Sequence, residues 1–304
     1  MQTSYMQTKW WGDFKAANGW QAHHALDLSV LENAPRLNKS FLYIPEISIS
    51  DDHLPAMAAK ASSALNHFKK SNTVFGRAEF LVPYSDEAAA VLRQGGFIKA
   101  KDEVQPEHRQ EIDITPLVQD ILAQMKPKGR YNIGVAQKHG VEVVATNQPD
   151  DIVAFIKLNE QTTKRKKISG RGGKYLRDLI QLLETNGAGG LWVAKYQGDV
   201  LAGAIVALWQ GKASYLYGAS SDQNRNVMAP YLLHFTIISD AKKFGCSVYD
   251  MIGVAPENAS PKHPWHGISR FKREFGGQTV HYLGSFDKVY NPVWYKLYQL
   301  GRKK

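Results

Sequence analysis

The sequence predicts an α/β protein made of two similar units in tandem, each built on a mixed sheet. A strand, a helix and a second strand follow one another near residues 40–82, and the same order returns near residues 213–252. The chain has 304 residues, which is long for one domain and sufficient for two of ordinary size. With 43% hydrophobic residues it can form real cores.

The first unit begins with a segment that has no clear pattern, residues 1–38, which is rich in aromatic side chains. Strands are expected at residues 40–47 and 74–82. A short helix is expected at residues 85–93, with Ser85 as its N-cap and Gly95 after its end. Between the strands, residues 54–70 carry apolar side chains at helical spacing, namely Leu54, Met57, Ala61, Leu65 and Phe68.

The second unit reads as a meander followed by a helix and a strand. Three strands are expected at residues 191–196, 200–209 and 213–219, joined by tight turns at Gln197-Gly198-Asp199 and Gln210-Gly211-Lys212. Pro230 then stands at a favoured first-turn position of a helix. Gly245 ends this helix, and residues 248–252 form the next strand.

Two further helices are expected outside these repeats. Residues 116–138 look helical and connect the two units. Residues 292–300 place Trp294, Tyr295 and Tyr298 at helical spacing, which favours a docked tail. The whole pattern fits several α/β folds, one of which is the GCN5-related (GNAT) acyltransferase fold.

Composition limits the chemistry that the chain can perform. The net charge of +10 favours phosphate-rich partners such as nucleic acid, although a generally basic surface would give the same charge. The single cysteine, Cys246, excludes a disulfide framework and is interpreted as buried filler. The histidines show no ligand spacing, so no metal or other cofactor is expected. The longest apolar run, residues 201–209, is shorter than the ~20 residues of a membrane span, and a soluble cytoplasmic protein is expected.

A basic cluster at residues 164–177 holds seven cations and no acid, and it opens a helix. Arg171 and Tyr175 are four residues apart and therefore share a helix face. An arginine fork beside a phenol suits a diphosphate or a carboxylate, and helix starts attract anions. A solvated loop and helix face is the open alternative. The cluster comprises Lys164, Arg165, Lys166, Lys167, Arg171, Lys174 and Arg177.

The loop at residues 220–230 bears on the acyl donor. In acetyltransferases that use coenzyme A, a glycine-containing motif at this place holds the pyrophosphate through backbone amides. Here the stretch from Arg225 to Pro230 contains no glycine, and the proline removes one N–H donor. This argues against coenzyme A, although an ordinary loop before a helix would look the same.

Several residues in the second unit are candidates for chemistry. In the amphipathic stretch 267–277, Phe271 and Phe275 have core spacing and Lys272 lies at the margin, where it could stabilise an oxyanion. Strand alternation places Tyr215 and Tyr217 on the same face, where they are core residues unless that face lines a cleft. Asp250, at a strand end, is a candidate general base or a buried structural carboxylate.

Taken together, these stretches resemble the FemABX family of peptidyltransferases across nearly the whole chain. No single motif decides the resemblance; the order and spacing of the motifs are specific. The matching stretches are Trp11-Gly12-Asp13-Phe14-Lys15, Gly19-Trp20, Gln105-Pro106, Asp113-Ile114, Met125-Lys126, Arg130-Tyr131-Asn132-Ile133, Lys138, Gly140-Val141, residues 215–220, Pro230-Tyr231-Leu232-Leu233, Tyr249-Asp250, Gly253 and residues 267–277.

The resemblance implies two tandem GNAT-like domains, one of residues 1–115 with 289–304 and one of residues 116–288 that carries most of the site. It implies transfer of an amino acid from aminoacyl-tRNA to a side-chain amine of the stem peptide in UDP-MurNAc-pentapeptide or lipid II. Residues implied to bind the precursor are Lys15, Arg171, Tyr175 and Tyr217, the last favoured over Tyr215. Phe271 and Lys272 are implied to serve the tRNA end and the tetrahedral intermediate.

One departure from the family is the lack of the long helical hairpin that several members insert in the second domain. This favours a compact monomer, and it weakly favours the UDP-linked precursor as the acceptor. Three alternatives remain open from the sequence: an acyl-CoA N-acyltransferase of the same fold, a non-catalytic RNA-binding protein, and a family member that acts on another amine.

Overall fold

The computed structural model describes residues 3–33, 36–166 and 170–301. The α-helices in these residues are α1 (Lys9–Ala17), α2 (Leu54–Phe68), α3 (Asp86–Gln94), α4 (Val118–Gln124), α5 (Pro127–Lys138), α6 (Pro149–Lys166), α7 (Gly173–Thr185), α8 (Ala229–Lys243), α9 (His266–Arg273) and α10 (Pro292–Gly301). The strands are β1 (Gln21–Ala25), β2 (Leu28–Asn33), β3 (Ser40–Ile47), β4 (Thr73–Pro83), β5 (Ile98–Lys99), β6 (His108–Asp113), β7 (Glu142–Thr146), β8 (Gly189–Tyr196), β9 (Asp199–Trp209), β10 (Lys212–Ser220), β11 (Val248–Gly253) and β12 (Gln278–Val289).

The chain divides into two compact units, Met1–Glu107 with Val280–Lys304, and His108–Thr279. In the first unit the strand order is β1-β2-β3-β4-β12, with β5 beside β12. The β3/β4 pair is parallel and the other pairs are antiparallel, so the sheet is mixed. The predicted strands and helices of this unit are confirmed, and the Ser85 hydroxyl accepts a hydrogen bond from the Ala88 amide as the N-cap of α3.

Helices cover both faces of the first sheet. Leu42 and Ile44 of β3 contribute to the core that contains the apolar residues of α2 and α3. On the other face, Tyr295 of α10 packs edge-on against Phe75 of β4, with ring centroids 5.3 Å apart. The C-terminal segment is therefore docked, as its aromatic spacing predicts.

The N-terminal segment contains structure that the sequence pattern did not indicate. Helix α1 is capped by the Thr8 hydroxyl, which accepts from the Trp11 amide, and a hairpin of β1 and β2 follows. The hairpin turns at Leu26 and Asp27, with φ of 52° and 54°. A leucine in the left-handed region is uncommon. The turn contains no glycine or asparagine, the residues that usually indicate such a hairpin turn in a sequence.

The second unit has the strand order β6-β11-β10-β9-β8-β7. The meander β7–β10 is antiparallel, and its predicted turns are confirmed: φ is positive at Gln197, Gly198, Gln210 and Gly211. β10 and β11 are parallel, with α8 as the crossover, while β11 and β6 are antiparallel. The sheet is again mixed.

Helices also lie on both faces of the second sheet. Ala204 and Val206 of β9 belong to the core shared with α5 and α8. Gly203, just before Ala204, faces α6, where a Cβ atom would come within 2.6 Å of the Phe155 ring. The stretch predicted as helical over residues 116–138 consists of two helices, α4 and α5, because Pro127 begins a separate helix and Lys126 before it is extended.

Candidate active site

The two parallel strands β10 and β11 separate along their length. They pair only at Lys212–Val248, Ala213–Tyr249 and Ser214–Asp250, although β10 continues to Ser220 and β11 to Gly253. Beyond Ser214 the sheet therefore opens between them. A gap at the carboxyl ends of parallel strands is a common place for a ligand site in α/β proteins.

A cavity of about 350 Å³ lies at this part of the second unit. The residues that line it come from the start of β9, the end of β10, the first turns of α8, one side of α9 and the end of α6. The side chains that matter most for its chemistry are Lys166, Tyr215, Tyr231, His234 and Phe271. The wall is thus mainly apolar, with a few polar groups placed in it.

A β-bulge in β10 separates the two tyrosines of the Tyr-x-Tyr-Gly stretch. Tyr215 is opposite Val206 and Tyr217 is opposite Ile205, so the two tyrosines match consecutive residues of β9. Consecutive strand residues point to opposite faces, and the prediction that both tyrosines share a face is wrong. Tyr215 meets His234 of α8, whereas Tyr217 faces the side of α6 and α7.

Lys272 is a buried ammonium next to the cavity wall. Its Nζ atom donates a 2.7 Å hydrogen bond to the Gly253 carbonyl and lies 5.7 Å from the centroid of the Tyr215 ring. The pKa of Lys272 is lowered to about 8, chiefly by burial; the charge of Asp250 partly opposes this change, and the charge of Lys166 adds to it. A desolvated cation at this place can stabilise negative charge that develops nearby.

Phe271 precedes Lys272 on α9 and forms part of the cavity wall. Its ring contacts those of Tyr231 and His234, with centroids 5.2 and 5.5 Å away. Phe275, one turn further, is fully enclosed in the core. The sequence expected both phenylalanines in the core, and the structure places Phe271 at its edge.

Asp250 lies fully buried on β11 and is surrounded by cations. Its Oδ2 atom is 3.0 Å from Lys212 Nζ and 3.3 Å from Arg109 Nη1, while Oδ1 accepts from the Ile252 amide. Burial raises the pKa of Asp250, but Lys212 and Arg109 outweigh it and hold the pKa below its usual range. This geometry favours a structural or electrostatic role over proton abstraction, and the role of Asp250 stays a prediction.

Arg171, Tyr175 and Tyr217 come together on the α7 side of the second sheet. The Arg171 guanidinium lies over the Tyr175 ring, 5.0 Å from its centroid, and the Tyr175 and Tyr217 rings meet edge-on at 6.4 Å. Burial raises the pKa of Tyr175. The sequence expected these three residues to act together, and the structure gives them a shared cluster.

The basic cluster belongs to two helices. Lys164, Arg165 and Lys166 end α6, whereas Lys174 and Arg177 are in α7. Lys167 lies outside the described residues. Arg165 pairs with Asp222 at 2.5 Å, and Arg225 pairs with the same carboxylate, so part of this charge is locally compensated.

Lys15 belongs to the first unit, on α1. It is buried, with its Nζ 5.2 Å from the centroid of the Trp20 ring and 6.0 Å from that of Trp11. An ammonium between two indoles is stabilised by their π faces. Its expected contact with the precursor stays a prediction.

The loop before α8 leads to Pro230 in the first turn of the helix, as the sequence predicts. Asn224 and Met228 have φ of 50° and 55° on either side of a short 3-10 helix, Arg225–Val227. Met228, Ala229 and Pro230 form part of the cavity wall. The proline leaves this helix start with one amide donor fewer than an ordinary one.

Sequence reasoning missed His234 and Tyr249. His234 is in the cavity wall and is buried, and its Nδ1 atom is 2.7 Å from the hydroxyl oxygen of Tyr249 on β11. Burial and the neighbouring Lys272 lower the pKa of His234 to about 3. His234 lies one turn inside the helix whose first turn contains Pro230. This position was the feature of the sequence that could have indicated it.

Within the described part of the chain, no cluster of His, Cys, Asp and Glu side chains could hold a metal ion. In the same residues, no helix has both the length and the apolar character needed to cross a membrane.

Solved structures with a similar fold define the class of architecture. A crystal structure of FemX covers 97% of this chain and 94% of its own length, with a TM-score of 0.85 and 19% sequence identity. A tandem GNAT protein from the clavulanic acid biosynthesis pathway covers 87% of this chain and 79% of its own, with a TM-score of 0.52 and 12% identity. The predicted fold class of two tandem GNAT-like units with mixed sheets is confirmed.

The family follows from the sequence match. The chain belongs to the FemAB family, whose model matches residues 87–188 and 191–303. A UDP-N-acetylmuramoylpentapeptide-lysine N(6)-alanyltransferase of Weissella viridescens is 25% identical over 88% of this chain and 81% of its own length. A lipid II:glycine glycyltransferase of Staphylococcus epidermidis is 21% identical over 96% of this chain and 89% of its own. The family resemblance seen in the sequence is confirmed.

Proposed function

We propose that this chain is an aminoacyltransferase that moves an amino acid from aminoacyl-tRNA to the side-chain amine of the stem peptide in a peptidoglycan precursor. The observation that carries the proposal is a buried lysine, Lys272, beside an apolar cavity in a member of the FemAB family. Relatives that align with most of the chain are named as transferases that act on such precursors.

The reaction requires little covalent chemistry from the protein. The donor is an activated ester, so the enzyme must bring the acceptor amine against the ester carbonyl and stabilise the oxyanion that forms. Lys272, with a pKa of about 8, is mostly protonated at neutral pH and supplies positive charge next to the cavity. Phe271 packs the wall beside it and shapes the place of the aminoacyl group.

An RNA-linked donor fits the charge of the chain better than coenzyme A does. Lys166 is in the cavity wall, and the chain carries a net charge of +10. The loop before α8 offers no glycine-lined backbone cradle for a pyrophosphate, and Pro230 removes one of the amides that would face it. These features support aminoacyl-tRNA as the donor.

The cluster of Arg171, Tyr175 and Tyr217 is suited to the diphosphate and uridine end of the acceptor. Guanidinium groups bind phosphate oxygens bidentately, and tyrosine rings provide stacking surfaces and hydroxyl donors. The family resemblance also implies that Lys15, on the first unit, contacts the precursor. UDP-MurNAc-pentapeptide is therefore the favoured acceptor, with lipid II as the second precursor to be tested.

The test is a transfer assay with purified protein, a pool of radiolabelled aminoacyl-tRNAs and either precursor, followed by mass spectrometry of the product. The expected result is a precursor heavier by one amino-acid residue. Arg171→Ala is expected to weaken precursor binding by about tenfold, the loss of roughly 1.4 kcal/mol from one charged hydrogen-bonding group. Lys243→Ala, at an exposed site on α8, is the matched control. Transfer from an acyl-CoA instead, or no gain in mass with either precursor, would refute the proposal.

A further inference from the structure

His234 is a polar residue of the cavity wall whose function is not explained by packing. Its side chain is buried and surrounded by aromatic rings, with centroids of Tyr215, Phe275 and Phe271 at 4.6, 5.2 and 5.5 Å. An imidazole in such a place is costly unless both ring nitrogens find suitable partners.

The hydrogen bond to Tyr249 is the basis for assigning the tautomer of the ring. Tyr249 is fully buried, and in the described residues its hydroxyl has His234 Nδ1, 2.7 Å away, as its hydrogen-bond partner. We assign the Tyr249 hydroxyl as the donor, because a proton on Nδ1 would leave the buried hydroxyl proton without an acceptor in these residues. Nδ1 is then the unprotonated nitrogen, and in a neutral ring the proton is on Nε2.

The ring is neutral at physiological pH. Burial lowers the pKa of His234 to about 3, and the charge of Lys272 on α9 acts in the same direction. The other titratable groups that face the ring are the phenols of Tyr215 on β10 and Tyr249 on β11, and burial raises the pKa of both. No carboxylate of the described residues bonds to the ring and favours its cation.

His234 is one of the residues that line the cavity, and in the described residues the hydrogen bond of its ring is the one between Nδ1 and Tyr249. Nε2 is therefore the ring nitrogen that remains for a ligand in the cavity. An N–H group in the wall of a cavity can donate to an acceptor on a bound substrate. The Tyr249 hydroxyl keeps the ring in this tautomer.

We propose that His234 is a catalytic residue that donates a hydrogen bond from Nε2–H to the carbonyl oxygen of the aminoacyl ester, as a second oxyanion donor beside Lys272. This inference rests on the proposed function. Tyr249 is the positioning residue, because it acts only by holding Nδ1. A neutral donor is suited to this wall, since a protonated ring would repel the Lys272 ammonium.

The step balances without any further reactant. The acceptor amine forms a C–N bond to the ester carbon while the carbonyl electron pair moves onto oxygen, where Nε2–H and the Lys272 charge stabilise it. The intermediate then expels the ribose oxygen, which takes the proton that leaves the attacking nitrogen. The products are an amide and a free ribose hydroxyl, and His234 keeps its proton throughout.

Two isosteric variants separate the role of Nε2 from that of packing. In His234→Gln the amide nitrogen can occupy the Nε2 position and keep a donor, whereas in His234→Asn it occupies the Nδ1 position and the donor is lost. The expected single-turnover transfer rate falls by about 10²-fold in His234→Asn, as for loss of an oxyanion donor, and stays within about tenfold of wild type in His234→Gln. Tyr249→Phe, which frees the tautomer, is expected to fall by an intermediate factor, with precursor affinity unchanged in all three.

A second measurement does not depend on turnover. Nitrogen NMR of the histidine rings, with the His234 signal assigned by its loss in His234→Asn, is expected to show a neutral ring protonated on Nε2 between pH 5 and 8. Equal losses in the Gln and Asn variants, or a ring protonated on Nδ1, would overturn the proposal. If wild type transfers nothing to either precursor, the proposed function fails, and the NMR spectrum still decides which ring nitrogen of His234 carries the proton.

Discussion

A substitution of Lys272, the buried lysine of the site, tests its electrostatic environment. The measured quantity is the free energy of unfolding rather than the activity. Lys272→Met keeps the length of the side chain and removes its charge. In the folded chain Lys272 is 7% exposed, and burial lowers its pKa from 10.5 to about 8. An ammonium that loses its hydration on folding destabilises the folded state wherever it stays protonated.

The sign and size follow from the two pKa values. Below pH 8 both the folded and the unfolded chain hold the proton, and the cost of burying the charge is fully present. Between pH 8 and 10.5 only the unfolded chain holds it, so stability rises with pH over this interval. The full change is about 3 kcal/mol, at about 1.4 kcal/mol per pH unit.

The assay is urea denaturation of wild type and Lys272→Met at pH 7, 8, 9 and 10. Subtracting the two unfolding free energies at each pH removes the contributions of the other titrating groups. The cost of leaving the Gly253 carbonyl without its donor, about 1–3 kcal/mol, adds a constant offset to this difference and does not change its pH dependence. The stability of wild type relative to the variant is expected to rise by about 2–3 kcal/mol across this range. A difference that stays flat across this pH range would refute the reasoning.

Two further substitutions test packing, and a third tests a buried ion pair. Gly218→Ala would place a Cβ against the phenol oxygen of Tyr215, and is expected to cost about 1–3 kcal/mol in urea denaturation and to lower transfer activity. Gly134→Ala in α5, where no atom lies within 4 Å of the new Cβ, is expected to be neutral or stabilising by up to about 1 kcal/mol. Asp287→Ala in the first unit would leave the buried Arg77 guanidinium, now bonded to it at 2.7 and 2.8 Å, without that partner. This variant is expected to lose about 3–5 kcal/mol of stability, and a loss below about 1 kcal/mol would contradict it.

Local signals predicted most of the fold well. The turns at Gln197-Gly198 and Gln210-Gly211, the Ser85 cap and the proline at the start of α8 each determine backbone conformation within a few residues. The β1–β2 hairpin was not predicted, because its turn residues are unusual. The β1–β2 hairpin turns at Leu26 and Asp27, and no rule based on turn residues finds a leucine there.

The site was harder to predict than the fold, because its geometry depends on contacts between distant parts of the sequence. The bulge that sends Tyr215 and Tyr217 to opposite faces comes from the register of β10 against β9, which the alternation of one strand does not reveal. His234 and Tyr249 are 15 residues apart and meet only because α8 returns the chain to the parallel strand β11. Charge and helical spacing made Arg171, Tyr175 and Lys272 candidates, and the family resemblance then gave roles to them and to Phe271; these roles stay predictions.

The most direct test of the account is the single-turnover rate of aminoacyl transfer in Lys272→Ala compared with wild type. Excess enzyme and limiting labelled aminoacyl-tRNA would be mixed with saturating UDP-MurNAc-pentapeptide, with Lys243→Ala as the control. A rate at least about 10²-fold below wild type, with unchanged precursor affinity, is the predicted result for loss of an oxyanion-stabilising charge. A rate within about threefold of wild type, well short of that loss, would contradict the claim that the cavity beside Lys272 is where the ester is attacked.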